Sequence, residues 1–419
     1  ARENWEKYLN AEGRKFENYE QAAHYLIHVI PKTNRQVFDD DETIKKNHQI
    51  MQLFDNPQNV HAAIHVAATS GKGSICYMVG AILRAHGKHT GMTQSPHVYD
   101  IRERIQINDN LISKQAFTDT LEAVTLGLEE GKMRGSYFEV LTAMAFLYLG
   151  SATIDYTILE TGFGGRLDAT NVVTNSNKVC ILGQIGFDHT EILGNTLEEI
   201  ATEKAGIIQQ NNLVIALKQD PVVNAVFEAI CEKQGADLVW VESAGDYQQT
   251  NQALAMKTCE LIAQRDGWSF NHEKAAHAAQ DVFIPGRFEV RTYRGHEVIL
   301  DGAHNPQKFE ALTSKIISTH KSPATIIFSI GERKDVKSCL LALQPITKRI
   351  IATEFFTTQQ DIPKRPVSTT EIVEICNVLE MDVKSVPSPR KALDLASSYH
   401  EPIIITGSFY LLGEMNQLI

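Results

Sequence analysis

A glycine-rich loop between a predicted strand and a predicted helix constrains the fold more than any other feature of the sequence. The run Ile64–Ala67 predicts a buried strand, and Ser74–His86 has the apolar periodicity of a helix that ends at Gly87. Residues 67–74 between them read AATSGKGS. Backbone N–H groups and the helix dipole favour a bound phosphate in such a setting, so the segment predicts a phosphate-binding P-loop. The alternative is a glycine-rich turn with a surface Lys72.

The rest of the N-terminal part alternates short apolar runs with longer helical stretches, which indicates parallel βαβ units. We predict strands at Tyr156–Glu160, Lys178–Leu182 and Leu213–Leu217, and helices at Phe138–Leu149 and Leu197–Ala205. Thr196 and Glu199 have the spacing of a capping box for the second helix. The pattern predicts an α/β fold with a mostly parallel sheet, similar to P-loop NTPases.

The alternation of strand-like and helical segments stops at Val282–Arg287, where the adjacent Pro285 and Gly286 indicate a connection between elements. We therefore predict two domains, 1–284 and 285–419, with a hinge near Pro285–Gly286. The second domain is predicted to be a smaller, Rossmann-like α/β unit. Its predicted elements are a hairpin of Phe288–Tyr293 and Glu297–Asp301, followed by strands at Thr325–Phe328, Arg349–Thr353 and Ile403–Thr406.

Composition excludes several classes of protein. A chain of 419 residues is longer than one hydrophobic core usually organises, and its 43% apolar content is enough for two cores. The formal net charge of −11 does not fit a protein that binds nucleic acid or a membrane surface. The six cysteines form no C-x-x-C pair, so we expect reduced, mostly buried thiols. Residues 1–5 lack the features of a signal peptide, and their missing initiator Met suggests trimming. We expect a cytoplasmic monomer.

Candidate metal ligands follow successive strands. The hydroxyl of Ser74 in the loop, Glu160 at the end of its strand and His189 after the next strand would face one crevice. Hard oxygen and imidazole ligands suit magnesium on a nucleotide. A structural, hydrogen-bonded His189 is the alternative.

Seven segments, in order across nearly the whole chain, resemble the folylpolyglutamate synthase and dihydrofolate synthase family of the Mur ligase superfamily. They are Ala68–Ser74, Ser95–His97, Glu160–Asn171 (ETGFGGRLDATN), Asp188–Thr190, Glu203–Ile207, Asp301–Pro306 and Thr406–Ser408. The resemblance implies an ATP- and Mg²⁺-dependent ligase that adds L-glutamate to dihydropteroate, to the γ-carboxylate of folates, or to both, through an acyl phosphate. The LDATN segment resembles the version in bifunctional enzymes.

The resemblance also implies the site residues, which fall into five groups. The catalytic residues are Lys72, His189, Lys204 and Arg287. The ATP-binding residues are Thr69, Ser70, Gly71, Lys72, Gly73, Ser74, Gln249, Asn251, Arg287 and Asp301. The metal ligands are Ser74, Glu160, His189 and Lys204, the last as a carbamate. The pterin or folate residues are Ser95, Pro96, His97, Arg104, Phe138, Asp168 and Ala169, and those for glutamate are His304, Asn305 and Ser408.

Bland alternatives stay open for several of these residues. Lys204 could be a lysine whose charge complements a helix C-terminus. Phe138 could be an aromatic residue of the core, and Asn305 could be a turn-forming residue. Rival functions are a Mur-type ligase for another carboxylate, a nucleotide-binding relative without turnover, and a P-loop kinase or motor ATPase. The stretch from Ala216 to Asp246 is shorter than is usual in the family.

Overall fold

The computed structural model describes residues 15–31, 41–319, 323–356 and 365–419; residues 1–5, on which the signal-peptide expectation rests, lie outside this part. The strands are β1 Ala62–Ala67, β2 Thr90–Thr93, β3 Ile105–Ile107, β4 Asn110–Leu111, β5 Tyr156–Glu160, β6 Val179–Leu182, β7 Leu213–Leu217, β8 Asp237–Val241, β9 Glu289–Tyr293, β10 His296–Asp301, β11 Ala324–Phe328, β12 Thr347–Ala352, β13 Val383–Ser385 and β14 Ile403–Thr406.

The helices are α1 Tyr19–His24, α2 Glu42–Gln52, α3 Lys72–Ala85, α4 Lys114–Glu130, α5 Tyr137–Ser151, α6 Thr190–Leu193, α7 Leu197–Ala205, α8 Pro221–Gln234, α9 Tyr247–Asp266, α10 His272–Asp281, α11 Pro306–Thr319, α12 Val336–Leu343, α13 Thr369–Val378, α14 Pro389–Ala396 and α15 Phe409–Asn416. Short 3₁₀ helices lie at Pro57–Asn59, Ile101–Arg104, Ala169–Val172 and Gln344–Ile346, and a π-helix at Tyr25–Val29.

The described residues form two compact units, the first within Ala1–His97 and Ile101–Val282, and the second within Val98–Asp100 and Phe283–Ile419. The sheet of the first unit has the order β4-β3-β2-β5-β1-β6-β7-β8. Its strands are parallel except at the β3 and β4 edge. The phosphate loop follows β1, which lies between β5 and β6, so the loop is at the centre of the sheet's carboxyl edge.

The sheet of the second unit has the order β13-β12-β11-β14-β10-β9, in which only β9 is antiparallel. One core lies on each side of it, around Phe309 and Phe328 and around Ile351 and Leu411. Val98 belongs to the second of these cores. Three residues that follow Ser95–His97 in the chain are therefore part of the second unit.

The predicted α/β class with mostly parallel sheets is confirmed. β5, β7, β14 and α7 have their predicted bounds, while α3 begins two residues earlier than predicted and β6 begins one residue later, at Val179. The predicted capping box forms, since Glu199 N donates to Thr196 Oγ1 (3.2 Å) and Thr196 N donates to Glu199 Oε2 (3.0 Å). The six thiols are free and buried, as predicted. Among the helices of the described residues, none combines the length and apolarity that a bilayer crossing requires.

Candidate active site

The phosphate loop is held by bonds to the segment after β6. Thr69 N donates to Gln184 O (2.8 Å), and Thr69 Oγ1 donates to Gly186 O (3.0 Å). Gly71 precedes helix α3 with a positive φ of 89°, a backbone conformation that glycine adopts without strain. Lys72 is the first helical residue, and its Nζ donates to Ala68 O (3.2 Å), so the ammonium group lies over the loop.

Asn251 lies against this loop. A Cβ atom added to Gly71 would be 2.6 Å from Asn251 Oδ1 and 3.0 Å from the hydroxyl of Tyr247. These residues are one turn apart on α9 and therefore share a face. Asn251 is buried, and its Nδ2 has no hydrogen-bond partner among the described residues. An amide donor is thus available beside the loop, as expected for nucleotide binding.

Gln249, the other predicted adenine-side residue, has a different environment. It is exposed, and its Oε1 accepts a hydrogen bond from Asp246 N (3.0 Å), which completes a capping box at the start of α9. Its predicted nucleotide contact stays a prediction.

Glu160 lies beside the loop residue that precedes Ser74. A Cβ atom on Gly73 would be 3.5 Å from Glu160 Oε2, and the same oxygen accepts a hydrogen bond from Ser95 N (3.2 Å). The carboxylate therefore connects the phosphate loop with the Ser95–His97 segment. Ser74 is also buried and lies in the first turn of α3.

His189 begins helix α6 with a positive φ of 53°. Its ring packs edge-on against Phe163 with 5.1 Å between centroids, and its Nε2 is 3.9 Å from Asp188 Oδ1. The side chain is about a third exposed, so the imidazole is accessible. No three His, Cys, Asp or Glu side chains cluster as metal ligands in the described ranges. The predicted set contains only Glu160 and His189 of these types, with the Ser74 hydroxyl and a Lys204 carbamate as its other members. This ligand set stays a prediction.

Lys204 is buried and lies in the last turn of α7, so its position also suits the helix-dipole alternative. Burial and the charge of Lys72 lower the pKa of its amine to about 7, while Asp188, Asp168 and Glu203 oppose the shift. A large share of the amine is therefore neutral near pH 7, which is the nucleophilic form.

The loop after Glu160 is packed tightly against Lys204. A Cβ atom on Gly165 would lie 2.5 Å from Glu203 O and 2.8 Å from Lys204 O, and Arg166 N donates to Glu203 O (2.8 Å). Only glycine fits at position 165. The position of this loop is consequently fixed to the backbone that carries Lys204.

The predicted pterin residues form two groups in the first unit. The ring of Phe138 lies against Gly162, where a Cβ atom would be 2.3 Å from its Cζ. Asp168 is buried and accepts hydrogen bonds from Phe163 N (2.7 Å) and from Thr170 Oγ1 (2.6 Å). Burial raises the pKa of the Asp168 carboxyl, and these donors oppose that shift. Ala169, the next residue, begins a 3₁₀ turn.

The second pterin group is centred on Arg104, whose Nε donates to His97 Nδ1 (3.0 Å). Its guanidinium lies 5.5 Å from the ring centroid of Tyr137. Burial, with the charge of Arg104, lowers the pKa of His97 well below its usual range, so this imidazole is a neutral acceptor.

In the second unit, Asp301 ends β10 and accepts hydrogen bonds from Phe288 N (2.9 Å) and Ala303 N (2.8 Å). Burial raises the pKa of Asp301, and the charge of Arg287 is the main opposing influence. The Arg287 guanidinium lies 4.4 Å from the ring centroid of Phe409. His304 packs against the same ring, with 6.0 Å between centroids.

Asn305 and Ser408 have local structural roles. Asn305 Oδ1 accepts from Lys308 N (2.9 Å) at the start of α11, and Ser408 Oγ accepts from Tyr410 N (3.1 Å) as the N-cap of α15. The turn-forming alternative for Asn305 is therefore realised. The Asn305 oxygen can accept a further hydrogen bond and the Ser408 hydroxyl can donate one. Glutamate binding by these residues stays a prediction.

Sequence reasoning assigned no individual role to Tyr247, Thr170 or His65. Each makes a contact with a residue that is distant in the chain. A histidine within an otherwise apolar strand was the one signal that could have drawn attention to His65.

Comparison with known proteins is consistent with this geometry. Residues 66–291 match the Mur ligase middle domain, and residues 287–418 match the dihydrofolate synthetase C-terminal domain. A probable dihydrofolate synthetase of Schizosaccharomyces pombe is 29% identical over 408 residues, covering 88% of this chain and 95% of that protein. A dihydrofolate synthase/folylpolyglutamate synthase of Mycobacterium tuberculosis is 30% identical over 389 residues, covering 80% and 77%.

Among solved structures, M. tuberculosis folylpolyglutamate synthase complexed with ADP and AMPPCP superposes with a TM-score of 0.80 at 25% identity, covering 96% of this chain and 99% of that one. The chain belongs to the dihydrofolate synthase/folylpolyglutamate synthase family of Mur ligases.

Proposed function

We propose that this protein is an ATP- and Mg²⁺-dependent ligase that joins L-glutamate to dihydropteroate, to the γ-carboxylate of a folate, or to both. The observation that carries the proposal is Lys204, a buried lysine of near-neutral pKa that is influenced by the charge of Lys72 in the phosphate loop. The named relatives support the choice of substrates.

Amide formation requires an activated carboxylate. Transfer of the γ-phosphoryl group of ATP to the acceptor carboxylate gives an acyl phosphate, and the amine of glutamate then displaces phosphate. Negative charge develops in both steps, so the residues act chiefly by positioning and electrostatic stabilisation. Lys72 and the N–H groups of Thr69–Ser74 would hold the phosphates, and the Asn251 amide would donate to the nucleotide.

The residues present fit magnesium. Ser74, Glu160 and His189 would hold one ion, and Lys204 would hold a second after carbamylation. In that modification the neutral Nζ attacks the carbon of CO₂, a C–N bond forms, one C=O bond becomes C–O⁻, and the amine loses a proton. When bound, magnesium neutralises phosphate charge.

The acceptor would lie along the loops after β2 and β5. Phe138, against Gly162, offers an aromatic face for a pterin, and the Asp168 carboxylate offers an acceptor for its ring N–H groups. Ala169 would line the same site. Arg104 and the segment Ser95, Pro96 and His97 would cover the anionic part of the acceptor.

In the second unit, Arg287 would contact the γ-phosphate and Asp301 the ribose, while His304, Asn305 and Ser408 would bind glutamate. Residues 1–284 would thus form the ATP-binding domain and residues 285–419 the glutamate-binding domain. Six free, buried thiols agree with a reducing compartment, and we propose that the enzyme works in the cytoplasm as a monomer.

The test is to incubate purified protein with ATP, magnesium and glutamate, adding dihydropteroate or tetrahydrofolate in separate reactions, and to identify products by mass. Glutamate adducts of both acceptors are expected, and Lys72→Ala and Ser74→Ala should abolish them. An adduct of one acceptor restricts the enzyme to that ligation. No adduct with either acceptor, in a protein that binds ADP, would overturn the proposal in favour of another carboxylate.

A further inference from the structure

His65 is a fully buried histidine in β1, the strand of the first unit that leads into the phosphate loop. His65 Nε2 is 2.9 Å from Thr170 Oγ1 and 3.1 Å from Thr161 Oγ1. Its other ring nitrogen, Nδ1, is buried and has no hydrogen-bond partner among the described residues. A buried polar atom without a partner costs stability, so the histidine calls for an explanation beyond packing.

The protons of this cluster can be assigned from its acceptors. Asp168 Oδ1 accepts from Thr170 N (3.0 Å) and lies 2.6 Å from Thr170 Oγ1, and Oδ2 accepts from Phe163 N (2.7 Å). Donors approach both oxygens, which is the environment of an ionised carboxylate. The Thr170 hydroxyl proton therefore points to Asp168. Its oxygen must then accept from His65, which requires a proton on Nε2.

The other tautomer fits less well. A proton on Nδ1 would be a buried donor with no acceptor in the described part of the chain. Nε2 would then accept from the Thr161 hydroxyl (3.1 Å), and its closer contact with Thr170 Oγ1 (2.9 Å) would hold no proton, because the Thr170 proton points to Asp168. Burial, with the charge of Lys178, lowers the pKa of His65 well below its usual range, so the ring stays neutral. It serves as a fixed donor and not as an acid or base.

We propose that His65 is a positioning residue for the acceptor site: its Nε2–H donates to Thr170, which directs the Thr170 hydroxyl onto Asp168 and fixes that carboxylate in the orientation that binds the pterin. This inference rests on the proposed function, because it takes Asp168 as the pterin-binding carboxylate. The relay connects the central strand with the loop after Glu160. Loss of the Nε2 donor frees the Thr170 hydroxyl to rotate, which weakens one of the hydrogen bonds that orient the Asp168 carboxylate.

Three substitutions separate the donor from the bulk of the ring. In His65→Gln the amide nitrogen reaches the position of Nε2, in His65→Asn it reaches only that of Nδ1, and His65→Leu has no donor. We expect His65→Leu and His65→Asn to raise KM for the pterin acceptor by about tenfold or more, because each loses the hydrogen bond to Thr170. His65→Gln keeps that bond, so its KM should stay within about threefold of the wild type. KM for ATP should not change.

The same effect should follow from Thr170→Val, and His65→Leu should add little to it, because both remove the same relay. Equal KM values for the Gln and Asn variants would overturn the proposal. So would a rise in KM for ATP that parallels the rise for the acceptor, which would indicate a general loss of structure.

A second measurement does not depend on turnover. Wild-type protein with ¹⁵N-labelled histidine should show the Nε2–H tautomer at His65, assigned by the signal that disappears in His65→Asn. The Nδ1–H tautomer would overturn the proposal even if the enzyme is active. If the wild type ligates neither acceptor, the proposed function fails separately, and binding of dihydropteroate to the Gln and Asn variants, measured by fluorescence, still decides the role of His65.

Discussion

Lys204→Met separates the stability of the protein from its activity. The wild-type amine has its pKa lowered from 10.5 to about 7 in the folded protein. Between those values the unfolded chain binds more protons than the folded one, so stability of the wild type rises with pH from about 7 to about 10.5. Below pH 7 both states are protonated, and the folded state carries the full cost of a buried ammonium group.

The size of this cost follows from the shift. One pKa unit corresponds to about 1.4 kcal/mol, so the lowered pKa represents on the order of 3 to 5 kcal/mol at low pH. Methionine keeps most of the volume of the side chain and removes the charge. We therefore expect Lys204→Met to be more stable than the wild type at pH 6, with the difference shrinking as pH rises towards 10, and to have no ligase activity.

The assay is urea denaturation of both proteins from pH 6 to 10, in buffer depleted of CO₂ and magnesium so that the amine stays unmodified. Lys218→Met, which removes an exposed surface lysine, is the matched control and should show no such trend. A difference between Lys204→Met and wild type that does not change with pH would refute the argument, because it would mean that Lys204 is not a buried, neutral amine in the folded protein.

Three further predictions concern the loop, the nucleotide and the second unit. Gly165→Ala must move the loop by about 0.9 Å to bring its Cβ atom from 2.5 Å to an ordinary 3.4 Å contact with Glu203 O, so kcat should fall roughly 100-fold. Gly331→Ala, whose Cβ atom would meet no atom closer than 4.0 Å, should keep full activity in the same assay. Asn251→Ala should weaken ADP binding about fivefold in calorimetry, since one donor is lost; unchanged affinity would exclude Asn251 from the site. Ser408→Ala should cost about 1 kcal/mol of unfolding free energy and Ser408→Gly only a few tenths, because glycine is a tolerated N-cap; both should raise KM for glutamate, and an unchanged KM in both would remove Ser408 from that site.

Much of the fold could be predicted because its signals are local. The strands β5 and β7 are continuous apolar runs, and α7 begins with its own capping box, so their bounds depend little on distant residues. The phosphate loop was likewise readable from glycine and lysine spacing between a strand and a helix. These features need no knowledge of the tertiary structure.

Other features could not be predicted because they arise from packing between distant segments. The three residues Val98–Asp100 belong to the second unit, where the Tyr99 hydroxyl donates to Glu289 (2.6 Å), yet no change in composition marks them. Burial of Lys204 depends on the loop around Gly165, which lies far away in the sequence. The Asn251 contact with Gly71 joins a helix to a loop 180 positions earlier.

The role of His65 shows the same limit within one strand. The sequence around His65 predicts a buried strand but does not identify the partners of its ring. Those partners are Thr161 and Thr170, which lie about 100 positions later and contact Nε2. Hydrogen-bond partners across a fold, and the pKa values they produce, are properties of the assembled structure.

The central claim is that the acceptor carboxylate is activated by the γ-phosphoryl group of ATP before glutamate attacks. The most direct test uses an acceptor with ¹⁸O in its reacting carboxylate, incubated with ATP, magnesium and glutamate, followed by mass analysis of phosphate and product. We predict that each amide formed transfers one ¹⁸O atom to inorganic phosphate. Amide formation without label in the phosphate, or with label in AMP, would contradict the account.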